Sequence, residues 1–310
     1  MTAEMEVAYK SALQTALEIG YSILEKNGTS MDAVTAAVVS LEDCILFNAG
    51  CGSVFTNKGT HEMDASIMDG KTLQAGAVAG VKNIRNPVLL ADCVIKNSEH
   101  IFLCGDGAEE FAKLHGIKTE PDDYFFSKFR YDQWQQVKDS EVTALDHNIN
   151  VSSYANLSDE ALAKSEASED KEKKFGTVGA AACDADGNIA AATSTGGMTN
   201  KKFGRAGDTP IIGSGTYANN KTCAISCTGH GEPFIQAVAA YDVSCLMEYK
   251  GFSLQQAMEE VTTKKLVAIN GEGGMIGVDA KGNTAMVFNC EGMYRGVKSN
   301  DGMNEVAIYK

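Results

Sequence analysis

An α+β fold, sheet packed on sheet with helices outside, is predicted by three features of this 310-residue chain. Helical periodicity dominates the N-terminal stretch, two hairpin signatures of one type mark the second half, and strands and helices come in blocks rather than in strict alternation. Hydrophobic residues make up 44% and charged residues 22%, an ordinary globular mixture that excludes disorder over the whole chain.

The elements follow in order. Between residues 5 and 26, Val7, Leu13, Ala16, Leu17, Ile23 and Leu24 recur at helical spacing, and Asn27-Gly28 supplies a stop. A second helix is expected from the Thr29/Ser30 cap to about residue 43, with Asp32 in its first turn complementing the helix dipole. Further helices are expected near residues 87–96 and 108–115, and residues 50–69 and 76–81 alternate like short strands. From Lys164 to Lys174 the chain is charged, with no aromatic and no apolar residue larger than alanine, so residues 150–176 read as a solvated, mobile linker.

Strand texture begins at Gly176-Thr177. Residues 178–183 and 189–193 flank the turn signal from Asp184 to Asn188, and residues 275–278 and 284–288 flank a second one from Asp279 to Asn283. Asp184-x-Asp186-Gly187 lacks the spacing and closing Glu of a calcium loop and reads as a turn. Helices over residues 233–250 and 253–268 complete the second half.

Charge and cysteine usage narrow the function classes. A formal net charge of −14 repels phosphate backbones and anionic lipid surfaces, so neither nucleic acid nor a membrane is expected as a partner. The nine cysteines form no C-x-x-C pair and read as reduced core thiols. The opening residues carry no basic-then-apolar leader pattern, and no apolar run approaches the ~20 residues of a membrane span. A soluble, cytoplasmic protein is expected. The five histidines show no ligand spacing, and the common nucleotide, zinc-protease and serine-hydrolase motifs are absent.

Threonines set among glycines are the unusual feature. Gly176-Thr177-Val178-Gly179 heads a strand, Thr193-Ser-Thr195-Gly-Gly197 ends the next, and Cys227-Thr-Gly-His-Gly-Glu232 ends a third and leads into a helix. Glycine permits close backbone approach to a ligand. Gly204-Arg-Ala-Gly-Asp208 places a cation and an anion three residues apart in a glycine-rich loop.

The run from Gly176 through Met198 to Lys201, with Gly204 to Asp208, resembles the threonine-nucleophile asparaginases, the plant-type L-asparaginase or isoaspartyl (β-aspartyl) peptidase family. Residues 47–53, 63–70 and 75–80 resemble the family's first subunit, and Asn289 to Tyr294 resembles its bacterial members. The resemblance implies an N-terminal-nucleophile hydrolase with a four-layer αββα sandwich. It implies self-cleavage at Gly176–Thr177, giving an α subunit of residues 1–176 and a β subunit of residues 177–310 that together form one domain. Thr177 is the implied nucleophile, activated by its own α-amine, whose unperturbed pKa of ~7.7–8.0 suits a base near neutrality. Thr195 orients it, and the Thr228 hydroxyl and Gly229 N–H form the oxyanion hole. Arg205 would hold the substrate α-carboxylate, and Asp208 with the Gly231 carbonyl its ammonium. The substrates implied are asparagine and β-aspartyl dipeptides, with no catalytic cofactor and self-association as (αβ)₂. A structural sodium ion is implied on main-chain carbonyls of Leu41, Glu42, Cys44, Phe47, Ala49 and Cys51.

A rival reading and a departure qualify the resemblance. The rival is glycosylasparaginase, which shares fold and nucleophile but typically reads Gly-Asp-Gly-Asp where this chain has Gly229-His-Gly-Glu232. Family members usually open with an apolar strand and His-Gly-Gly-Ala-Gly, which are not found ahead of the first helix here. The expectation is a chain lacking the family's first strand, with poor maturation and weak or no activity.

Overall fold

A computed structural model describes residues 1–140, 143 and 176–310. The predicted linker therefore lies almost wholly outside the described residues. Helix α1 (Ala3–Glu25) is capped by the Thr2 hydroxyl, and α2 (Ser30–Glu42) by that of Thr29, which accepts from the Asp32 N–H. Strands β1 (Met63–Asp69) and β2 (Ala75–Val81) are followed by α3 (Pro87–Asn97), β3 (Phe102–Cys104), α4 (Gly105–Leu114), α5 (Asp122–Phe125) and α6 (Lys128–Val137). Beyond the linker come β4 (Val178–Cys183), β5 (Ile189–Thr195), β6 (Thr216–Ala218) and β7 (Cys223–Gly229). Helices α7 (Gly231–Ala237), α8 (Ala239–Lys250) and α9 (Leu254–Glu259) precede β8 (Gly273–Asp279), β9 (Thr284–Phe288), β10 (Gly292–Lys298) and β11 (Asn304–Tyr309).

Three sheets result, in the orders β3-β2-β1-β5-β4, β6-β7-β8-β9 and β10-β11. Strand β1 pairs with β2 on one side and β5 on the other, so the first sheet is built from both sides of residue 177. The core divides the same way. One cluster (Val34, Val38, Val88, Ala190, Ala192) fills the space between the first sheet and α1–α3. A second (Met68, Ile189, Ala191, Ala224, Val278) lies between the two larger sheets, and a third (Phe234, Val243, Leu254, Met275) under the later helices. The alternation along β5, with Ala190 and Ala192 facing one cluster and Ile189 and Ala191 the other, is the period-two pattern of a strand buried on both faces.

Between the sheets the contact turns polar near one end. Ser66 of β1 donates to Thr216 of β6 (2.8 Å), Thr216 to Thr193 of β5 (2.6 Å), and Thr193 shares a hydrogen bond with Ser226 of β7 (2.7 Å). These four buried hydroxyls satisfy one another and tie two strands of each sheet together. Because side chains repeat every second residue, Thr195 and Thr228 stand one step further along the same strand faces.

Three expectations change. Residues 50–62 form no ladder: after a 3₁₀ turn (Gly50–Gly52) their N–H groups find local partners, Val54 on the Asn48 side chain and Thr56 on the Thr60 carbonyl. The helix expected over residues 233–250 breaks at Val238 (φ 49°), because the Ala240 and Tyr241 N–H groups turn to the Ser214 and Gly213 carbonyls. The helix over 253–268 passes from α9 through a π stretch (Glu260–Lys265) into α10 (Leu266–Ala268), and the Thr262 carbonyl accepts from the Asn289 amide. The hairpins β4–β5 and β8–β9 form as expected. All nine cysteines are free, though Cys104 is exposed rather than in the core. No helix among the described residues is long and apolar enough to cross a membrane.

Candidate active site

Thr177, Thr195, Arg205, Asp208, Gly229 and Gly231 line one small cleft. Four separate stretches of chain thus converge on one point, as the sequence reading requires. Register explains half of it. Strands β4 and β5 pair antiparallel with Val178 opposite Ser194, which brings Thr177 beside Thr195, and their hydroxyls lie 3.1 Å apart. The Gly197 N–H donates to the Thr195 hydroxyl at 3.1 Å, leaving its proton free to turn toward Thr177.

Asn48, not singled out in the sequence, wires this wall together. Its N–H donates to the Gly176 carbonyl (3.0 Å), and its own carbonyl accepts from the Gly196 N–H (2.9 Å). Its side-chain amide donates to the Gly197 carbonyl (2.7 Å) and accepts from the Val54 N–H (3.0 Å). The peptide plane that ends at Thr177 is therefore held on its oxygen side.

The opposite wall is different. Asp208 is 6% exposed, and its Oδ2 has no partner. Burial raises its carboxyl to about 7, against the opposing pull of the Arg205 charge. The Thr228 hydroxyl is buried and has no partner either. Both atoms belong to residues the sequence assigned to binding and oxyanion stabilisation. Gly231 is a glycine for space, since a Cβ there would lie 2.9 Å from Asp208 Oδ1 and 3.0 Å from Arg205 Nη2.

Two buried charges sit beneath the cleft. Asp64 lies opposite Thr195 in the β1–β5 register and accepts from the Gly80 N–H at 2.8 Å. Lys201 donates to the Glu62 carbonyl at 2.7 Å. Burial raises the Asp64 carboxyl and lowers the Lys201 ammonium, while the charge of each opposes the shift of the other. Nothing in the spacing of these residues marked them as neighbours.

The carbonyl-rich loop from Leu41 to Cys51 packs behind Asn48. Carbonyls of Leu41, Cys44 and Ala49 each accept one N–H, from Cys44, Phe47 and Gly52, and keep a second lone pair. Arg130, buried on α6, donates to the Gly52 carbonyl (3.1 Å) and the Leu46 carbonyl (3.3 Å). The fully buried Glu42 carboxyl accepts from the Val88 N–H (3.0 Å) and is raised by burial to about 8. An oxygen-only loop of this kind fits a hard monovalent cation. Among the described residues no group of three or more His, Cys, Asp or Glu side chains is placed to hold a metal.

A groove of about 610 Å³ lies elsewhere, between α1, α2, β4 and β10. It is far larger than the cleft but carries none of the threonines or the Arg205–Asp208 pair. The chemistry points to the smaller space.

Comparison with known proteins identifies the family. The family model described as asparaginase matches residues 1–308. The chain is 49% identical over 295 residues to an isoaspartyl peptidase of Escherichia coli K12, covering 95% of this chain and 87% of the relative. It is 36% identical over 306 residues to an isoaspartyl peptidase/L-asparaginase of Xenopus laevis, covering 99% and 91%. The bovine isoaspartyl peptidase/L-asparaginase is 40% identical over 284 residues, covering 92% and 84%. The chain belongs to the asparaginase family.

Proposed function

We propose that this chain is a self-activating amidohydrolase that cleaves the side-chain amide of asparagine and the β-peptide bond of β-aspartyl dipeptides through a Thr177 acyl-enzyme. The observation that carries the reading is the meeting, in one cleft, of a threonine pair with Asp208, whose buried Oδ2 lacks a partner, and with Gly229, whose chain neighbour Thr228 holds a second buried oxygen without one. Such atoms are costly unless a ligand supplies the missing contact, at ~1–3 kcal/mol each.

Maturation comes first. The Thr177 hydroxyl attacks the Gly176 carbonyl carbon, whose oxygen the Asn48 N–H already polarises at 3.0 Å. The peptide C–N bond breaks as the ester forms, the hydroxyl proton passing to the freed Thr177 α-amine, and water then hydrolyses the ester to the Gly176 carboxylate and the Thr177 hydroxyl. The products are subunits of residues 1–176 and 177–310, and the β1–β5 pairing keeps them one folded unit.

Turnover repeats the attack on a substrate. The α-amine takes the hydroxyl proton, Thr177 Oγ1 bonds to the side-chain carbonyl carbon, and charge develops on its oxygen. The Thr228 hydroxyl and Gly229 N–H receive that charge, one such donor being worth ~2.7–4 kcal/mol. The C–N bond breaks, ammonia or an amino acid leaves with the proton, and water hydrolyses the acyl-enzyme to aspartate. Arg205 pairs with the α-carboxylate. Asp208, with the Gly231 carbonyl, takes the ammonium.

Three structural readings belong with this one. The helix–sheet–sheet–helix order of the core clusters supports reading the fold as an αββα sandwich. A sodium ion on the carbonyls of Leu41, Glu42, Cys44, Phe47, Ala49 and Cys51 would brace the loop that carries Asn48. An extra strand of the kind the family resemblance implies has room in the 610 Å³ groove between β4 and β10. Assembly as (αβ)₂ is expected.

Mass spectrometry of the purified protein tests the proposal. A fragment beginning at Thr177, together with aspartate release from asparagine, is expected. An intact, inert product after prolonged incubation, both from this chain and from one carrying an added N-terminal strand and His-Gly-Gly segment, would overturn it.

A further inference from the structure

Arg205 already holds a carboxylate, and it is the protein's own. Its Nε donates to Glu232 Oε1 at 2.9 Å and its Nη2 to Glu232 Oε2 at 2.7 Å, a fork-to-fork pair. His230 Nε2 stands 3.1 Å from Glu232 Oε2, the oxygen that also accepts from Arg205 Nη2. The question is whether Glu232 blocks the residue that should read the substrate or holds it in place.

Three features favour holding. Arg205, Gly207, Asp208 and Gly231 line the cleft, whereas Glu232 does not. The contact uses one edge of the guanidinium, leaving both Nη1 hydrogens and one on Nη2 for another partner. The Arg205 guanidinium also lies against Gly207 and Gly231, which line the cleft, so the pair with Glu232 leaves it facing that space. Contacts with His230, and after it Arg205, hold the Glu232 carboxyl well below the usual range, so it stays ionised.

We infer that Glu232 is a positioning residue: it fixes the guanidinium of Arg205 so that its free edge reads the α-carboxylate of an aspartyl substrate, while His230 steadies Glu232. This rests on the proposed role of Arg205. It makes the preference for substrates bearing an α-carboxylate depend on a side chain outside the cleft.

Steady-state kinetics of Glu232→Ala and Glu232→Gln on asparagine and on 3-aminopropanamide, the same amide without its α-carboxylate, test the inference. For Glu232→Ala, KM for asparagine should rise ~10-fold with kcat within ~3-fold, and selectivity for asparagine over the truncated amide should fall ~10-fold. Glu232→Gln keeps one acceptor and should recover part of the loss. Self-cleavage should proceed in both. An unchanged or lowered KM, the mark of a competitor, overturns the inference; so does a fall in kcat alone, or an equal loss on both amides. Arg205→Ala run alongside separates the two levels. If its KM stays at the wild-type value, the substrate-pocket reading fails; if it rises while Glu232→Ala does not, only the role of Glu232 fails.

Discussion

The two walls of the cleft differ in how completely their polar groups are satisfied. On the nucleophile wall, Thr177, Thr195, Gly197 and Asn48 form a closed set of hydrogen bonds at 2.7–3.1 Å. On the other side, Asp208 in the cleft and Thr228, next to the cleft-lining Gly229, each keep a buried oxygen without a partner. On the proposed reading the first wall is organised before substrate arrives, and the second is completed by it. Loss of a group should therefore damage chemistry and maturation on one side, and affinity or charge stabilisation on the other.

The largest expected effect tests the first wall. Thr177→Ala should abolish both self-cleavage and hydrolysis, since one hydroxyl serves in both, while Thr177→Ser retains some of each. Electrophoresis under denaturing conditions reads the first and ammonia release the second. Cleavage at Gly176–Thr177 in the alanine variant would sink the assignment.

Thr228→Ala tests the second wall. A lost oxyanion donor should lower kcat ~10²–10³-fold. Because this hydroxyl has no partner in the fold, thermal stability should stay near wild type. A large drop in melting temperature would show that the atom serves structure instead.

Asp208→Asn separates affinity from stability. KM for asparagine should rise ~10-fold or more, because the substrate ammonium loses its counter-charge. Stability should move the other way. The carboxyl sits at about 7 in the fold, so the unfolded state releases its proton first as pH climbs from the ordinary carboxylate range to 7. Wild-type stability then falls across that window, and the melting temperature of Asp208→Asn relative to wild type should be higher at pH 8 than at pH 4. In the same window, kcat/KM of the wild type should rise with pH as Asp208 ionises. A profile flat through 7 would remove Asp208 from the ammonium site.

The smallest effect sharpens the contrast. Asn48→Ala removes two side-chain contacts, to Gly197 and Val54, but leaves the main-chain donor to Gly176. Stability should drop by ~1–3 kcal/mol. Self-cleavage, followed by electrophoresis, should slow several-fold rather than stop.

Much of the fold was legible where the signal is local. The cap at Thr29, the matching Asp-to-Asn turns of the two hairpins and the period of the helices all act within a few residues. The break at Val238 was not, because the carbonyls that capture the first N–H groups of α8 lie at Gly213 and Ser214. The site divides likewise. Thr177, Thr195, Thr228, Arg205 and Asp208 were marked by glycine-rich context and family pattern. Asn48, Asp64, Lys201 and Glu232 were not, since each acts on residues brought near only by strand pairing or by loops far apart in the chain.

The four hydroxyls clasped between the sheets act as a spacer. Ser66, Thr193, Thr216 and Ser226 are among the smallest polar side chains that can bridge two layers, and even the neighbouring Gly179 has no room for a methyl, which would sit 1.9 Å from Ser226 Oγ. One residue pair further along, the same strands carry Thr195 and Thr228. The thickness of this seam thus fixes the gap between Thr195, which holds the proposed nucleophile Thr177, and Thr228, the proposed oxyanion donor. Substitutions such as Gly179→Ala or Ser226→Val would act like a shim under a vice jaw, leaving every reacting residue present while the reaction slows. Buried positions with no chemical part of their own can in this way be as intolerant of change as the nucleophile.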